Sequence, residues 1–193
     1  MKRLISCAAA RQPVVPLLLL LVFTCGGCLI NERDEYVLKI NPDGKTGTLT
    51  FVKYNLQSDA SDTADQAKDF NDLMNNWKSD QHLIDQMKEG AYVKERDVRL
   101  EDGKVVWREV SLLADVGNIL PHYSEGDTTR FKCDPENGEV VGTNGTVIDM
   151  KDSIIVAWPP HTKEFVLRTK VKDFNPKSKF EEKFEEYLTQ HAR

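Results

Sequence analysis

Tyr92-Val93-Lys94-Glu95-Arg96-Asp97-Val98-Arg99-Leu100, then Glu101-Asp102-Gly103-Lys104, then Val105-Val106-Trp107-Arg108-Glu109-Val110-Ser111-Leu112-Leu113: the reading of this stretch decides the fold. Two runs with a period of two flank an Asp-Gly pair. That arrangement is the strongest short-range signal for a β-hairpin, because Asp and Gly both tolerate the positive φ that a tight hairpin turn requires. The stretch therefore predicts two long antiparallel strands in the middle of the chain.

Toward the N-terminus the period changes. Ala67, Phe70, Met74 and Trp77 recur at steps of three and four, with Leu73 beside them, and predict a helix from about Thr63 to Lys78. Asp62 is placed to cap it and Asp65 to complement its dipole. Leu83, Ile84 and Met87 predict a shorter helix from Asp80 to Lys88, stopped by Gly90. Before these helices, Tyr36 to Ile40 and Thr48 to Leu56 alternate around Asn41-Pro42-Asp43-Gly44-Lys45-Thr46-Gly47 and read as another hairpin.

Toward the C-terminus more strands are predicted: Thr128 to Cys133, Glu139 to about Thr143 or further, Ser153 to Trp158, and Glu164 to Val171. Asn175-Pro176 has the chemistry of a helix start, and Phe180, Phe184, Tyr187 and Leu188 then form one apolar stripe. The expected fold class is α+β: a largely antiparallel sheet built from hairpins, with two central helices and a C-terminal helix packed on it.

The first 28 residues have a different composition. Lys2, Arg3 and Arg11 precede an apolar run, Val14 to Phe23, broken by Pro16 and followed by Cys25-Gly26-Gly27-Cys28. A positive segment, an apolar segment and small residues make a secretory signal. The end of this leader resembles the lipobox of bacterial cell-envelope lipoproteins. Gly26 and Gly27 fit that pattern, while Cys25 stands where the pattern prefers Leu. The resemblance implies that residues 1–27 are a signal peptide and that the thiol of Cys28 takes a lipid. It further implies a protein tethered on the periplasmic side of a membrane, with the outer membrane favoured by Leu29 in second place. It covers the leader only and supplies no catalytic residues. Two other fates stay open on the residues alone: cleavage without a lipid, and retention as a signal anchor, since Pro13 to Ile30 approaches the ~20 residues of a membrane span.

Residues 28–193 then form a single domain, with 28–35 as a tether. Loss of the leader takes three positive charges with it and moves the net charge from −5 to −8. A domain so acidic repels nucleic acid. Of the four cysteines only Cys133 lies in the body, so no disulfide within the domain is available and the core must supply the stability. Cys133 is expected to be buried and inert.

Nothing in the body has the spacing of a known chemistry. His82, His122, His161 and His191 lack zinc-motif spacing, and no metal or cofactor is implied. Asp59, Asp62 and Asp65 lack the alternation and glycine of a Ca²⁺ loop and read as a cap and a solvated loop. Asn144-Gly145-Thr146 matches a glycosylation sequon and, behind a bacterial leader, reads as a turn. Trp77, Trp107, Trp158, Phe180 and Phe184 are expected in the core; the alternative for Trp158-Pro159-Pro160-His161 is an exposed rim. The favoured function is a non-enzymatic binding or envelope-interaction module, meeting an envelope protein or a small apolar ligand with its sheet. The alternative is an envelope hydrolase using paired carboxylates, which no motif locates.

Overall fold

In the computed structural model, which describes residues 29–76, 79–118, 128–133, 138–150 and 153–191, the chain opens with strands. These are β1 (Leu29–Ile30), β2 (Arg33–Ile40), β3 (Gly47–Tyr54) and β4 (Gln57–Ser58). Helices α1 (Thr63–Asn76) and α2 (Asp80–Lys88) follow, then the long hairpin β5 (Ala91–Glu101) and β6 (Lys104–Leu113). The last part holds β7 (Thr129–Cys133), β8 (Glu139–Thr143), β9 (Thr146–Met150), β10 (Ser153–Trp158), β11 (Glu164–Lys170) and helix α3 (Phe180–His191). The α+β class is as expected. Asp102 and Gly103 take φ of 52° and 73°, the pair of positive angles that lets a two-residue turn match the twist of its strands.

Six strands form one antiparallel sheet in the order β5-β6-β3-β2-β11-β8, and β7-β10-β9 form a second. Alternation of side chains along each strand assigns two faces to the large sheet. One face carries Leu38, Leu49, Leu113, Phe165 and Leu167 at one end, where they pack against Val156 and Trp158 of β10. At its other end the same face carries Val98, Val105 and Trp107, which meet Phe70, Leu73 and Met74 of α1 and Phe180 and Phe184 of α3. Phe70 meets Phe180 edge-on at 5.4 Å. The small sheet and the helices thus cover opposite ends of one face, and the core is two clusters rather than one.

Four local expectations change. Residues 29–35 are not a tether: Leu29–Ile30 pairs with Gln57–Ser58, β2 already begins at Arg33, and Asp34 is buried. Asn31 and Lys53 bond the Asp34 carboxylate there, which gives this polar segment a place in the fold. The C-terminal helix starts at Phe180, not at Asn175-Pro176. Gln57 and Ser58 hold its approach instead: Lys177 N donates to Ser58 O, Ser58 N to Ser178 Oγ, and Phe180 N to Gln57 Oε1. Tertiary bonds to β4 outcompete the local cap. The strand expected from Glu139 to about Thr143 or further ends at Thr143, and the residues beyond Asn144-Gly145 form a separate strand in the other sheet. Leu188 of the predicted apolar stripe is exposed. Trp77, His122 and Cys28 lie outside the described residues.

Candidate functional site

Between its two apolar clusters that face of the large sheet changes character. The register sets Arg96, Glu109, Phe51 and Tyr36 side by side across β5, β6, β3 and β2. Tyr36 and Phe51 stack at 4.7 Å, and the Lys53 ammonium lies 5.0 Å over the Phe51 ring. Lys53 also pairs with Asp34 at 3.3 Å. Helix α2 closes the β6 end of this seam. Ser79 caps that helix, accepting from Gln81 N, and Gly90, at φ 81°, turns the chain back into β5. His82 is thereby brought within 2.6 Å of Glu109, and its ring meets Trp107 at 5.9 Å. Ser111 Oγ donates to the other oxygen of Glu109 at 3.2 Å. Gln86, one turn further along α2, is buried, and its amide oxygen has no hydrogen-bond partner among the described residues.

Ser, His and Glu are the residue types of nucleophilic catalysis, but the order of contacts is wrong for it. A serine nucleophile needs the imidazole at its hydroxyl and the carboxylate behind the imidazole. Here the carboxylate lies between the other two and accepts from the hydroxyl. The arrangement clamps α2 to the sheet. The carboxylates whose acidity the surroundings shift also move the wrong way for a general acid. Asn55 and Lys104 hold Glu32 below its usual range, Thr46 and the backbone of the Asn41–Gly47 turn do the same for Asp43, and Lys88 and Gln81 for Asp85. Burial pushes the Tyr36 phenol far up, and pushes the Cys133 thiol up to about 11. Cys133 is half-buried rather than buried as expected, and its raised pKa makes it a thiol, not a thiolate, at neutral pH.

The other residues singled out in the sequence resolve simply. Asp62 caps α1, accepting from Ala64 N at 2.7 Å and Asp65 N at 3.3 Å. Trp107, Trp158, Phe180 and Phe184 are buried, so Trp158 is no rim, although Pro159, Pro160 and His161 beside it are exposed. Among the described residues no three His, Cys, Asp or Glu gather as a metal site, and no helix is long and apolar enough to cross a membrane.

The feature that sequence reading missed is β9. Thr146-Val147-Ile148-Asp149-Met150 consists largely of strand formers. Among the described residues it pairs with β10 alone, and it is exposed along its whole length. Val147 is 47% exposed, Ile148 42% and Met150 52%, with Val141 of β8 close to them in sequence at 47%. The corner that launches it is tightly held. Asn144 Oδ1 accepts from Trp158 Nε1 at 2.8 Å and from Val166 N at 2.9 Å, while its amide donates to Glu164 O at 2.7 Å. Gly145 has no room for a side chain, since a Cβ would lie 2.8 Å from both Ala157 O and Trp158 Nε1.

An exposed strand edge offers unpaired backbone donors and acceptors to any other extended chain, and proteins ordinarily blunt such edges with charges, bulges or a covering element. The other three edges of the two larger sheets follow that rule. β5 carries six charges between Lys94 and Glu101, has a bulge between Val93 and Glu95, and lies against α2. The pairing of β8 is interrupted by a bulge, and β7 carries Arg130 and Lys132. β9 has one charge, Asp149, and no bulge in its ladder with β10. No family model, no curated protein and no solved structure matches the chain.

Proposed function

We propose that the chain is a membrane-anchored extracytoplasmic lipoprotein of a bacterial cell envelope, held by a lipid on Cys28 at the periplasmic face of the outer membrane. Its body is a non-enzymatic binding module that takes its partner along β9. The bare apolar edge carries this reading: Val147, Ile148 and Met150 stand exposed on the one edge of the two larger sheets that is left unguarded among the described residues. Strand addition suits such an edge, because main-chain bonds supply affinity and alternate side chains supply selectivity.

The anchor and the edge are compatible. Leu29 packs against the cluster formed by α1 and α3, whereas β10, the neighbour of β9, packs in the other cluster. Leu29, the residue after the proposed attachment point, therefore belongs to the helical cluster and not to the one that β10 joins. Since β1 begins at that residue, the body sits close to the headgroups rather than at the end of a leash.

Two measurements test the reading. Labelling with radioactive palmitate should mark the full chain and be lost in Cys28→Ser; a labelled variant or an unlabelled parent refutes the anchor. A photoreactive benzoylphenylalanine at position 148 should give a defined cross-linked product in intact envelopes, and the same group at position 112 should give none; absence of product at 148 refutes β9 as the docking edge.

A further inference from the structure

We infer that the occupant of β9 is the β9 of a second copy of this chain, paired antiparallel about a two-fold axis. Two three-stranded sheets then become one six-stranded sheet in the order β7-β10-β9-β9-β10-β7. The inference rests on the reading of β9 as a docking edge and goes further by naming what docks.

Symmetry is the first argument. An edge bare on one copy is bare on every copy, and an isologous contact closes both at once. Charge is the second. The chain is acidic, −5 with its leader and −8 without it, so two copies repel unless they meet where charge is sparse. With the axis through Ile148, Ile148 faces its own copy, Thr146 faces Met150, and Val147 faces Asp149. No carboxylate opposes another, and like charges directly opposite are what destabilise a ladder. The same operation on β7, centred on Phe131, would set Arg130 against Lys132. Its side chains forbid there what those of β9 allow.

Area is the third argument, and it sets the strength. Five residues along one edge bury less than the ~1,200 Å² of a standard interface. The dimer is therefore weak, and it forms where copies are crowded, as on one leaflet of a membrane.

The test uses the full chain in membranes. Ile148→Cys and Leu112→Cys have nearly equal parent exposure, 42% and 43%, so oxidation with copper phenanthroline compares like with like. The native cysteines are accounted for by the unmodified chain as baseline. We expect a disulfide-linked dimer from Ile148→Cys on the order of ten times more abundant than from Leu112→Cys, because directly opposed strand residues lie within disulfide reach. A second variant set guards against misfolding of the first. Co-expressed Val147→Cys and Asp149→Cys chains should cross-link in mixture and not singly. Equal yields at 148 and 112, or no dimer from either set, overturns the two-fold pairing. The photoreactive group at 148 separates the two levels of the argument. A product with twice the chain mass supports both the edge and the second copy. A product with a different protein keeps the docking edge and overturns the second copy. No product removes both.

Discussion

Asn144→Ala is the most informative single change, because one side chain joins the large sheet to the small one at the corner where β9 departs. Its amide oxygen accepts from Trp158 Nε1 in the small sheet and from Val166 N in the large one, and its amide nitrogen donates to Glu164 O. Each such bond contributes about 1 kcal/mol net, and a buried donor left without a partner costs about 1–3 kcal/mol. Trp158 is 3% exposed, so its indole N–H is the group most exposed to that penalty. Asn144 itself is exposed, and water can reach the other two partners in part. The expected loss is about 2–4 kcal/mol. For a domain of this size, 1 kcal/mol moves the melting temperature by about 2–4 °C. Thermal unfolding followed by circular dichroism should therefore fall by roughly 5–15 °C. Trp158→Phe removes the indole donor and keeps most of the ring, so the pair should couple by about 1 kcal/mol in a double-mutant cycle. A fall of under about 2 °C, or strict additivity of the two changes, would refute the claim that Asn144 ties the sheets together.

Further predictions follow from the core, the seam and the thiol. Phe180→Ala removes a ring that is 0% exposed and edge-on to Phe70, and should cost about 3–5 kcal/mol in urea unfolding with an unchanged m-value. Glu109→Ala leaves His82 and Ser111 without their shared acceptor and should cost about 1–3 kcal/mol for each group left unpaired, whereas replacing His82 and Glu109 together with leucines should cost less than the single change. Cys133 should resist iodoacetamide at pH 8 and react readily only as pH nears about 11, read as the difference from Cys133→Ser. Its folded pKa lies above the unfolded one. The stability it contributes is therefore complete below the unfolded value near ~8.5 and lost as pH rises through about 11, and Cys133→Ser should flatten stability across that alkaline window.

Much of the fold was legible because its signals are local. The Asp102-Gly103 turn, the stripe Phe70, Leu73 and Met74, the Asp62 cap and the bounds of α2 each depend on residues a few positions apart, and all appear where the sequence places them. The start of α3 was not legible. Asn175-Pro176 has good capping chemistry, but Gln57, more than a hundred residues away, takes the backbone N–H of Phe180. The clamp of His82 on Glu109 was hidden for the same reason: 27 residues separate the pair, and only the packing of α2 against the sheet joins them. β9 was hidden differently. Both its faces are exposed, so it lacks the in–out alternation that marks a strand.

The sequence by itself determined the α+β class, the two central helices, the central hairpin and the absence of a disulfide within the body, because turn chemistry, hydrophobic period and cysteine count act over short range or by simple number. Only the tertiary structure decided which strands share a sheet, how two core clusters leave a polar seam between them, and which edge is left bare. Those outcomes depend on long-range pairing, and nothing in a strand's own residues states what will lie beside it. At Asn144-Gly145 the same few residues are both a turn in the sequence and the corner that sends consecutive strands into different sheets.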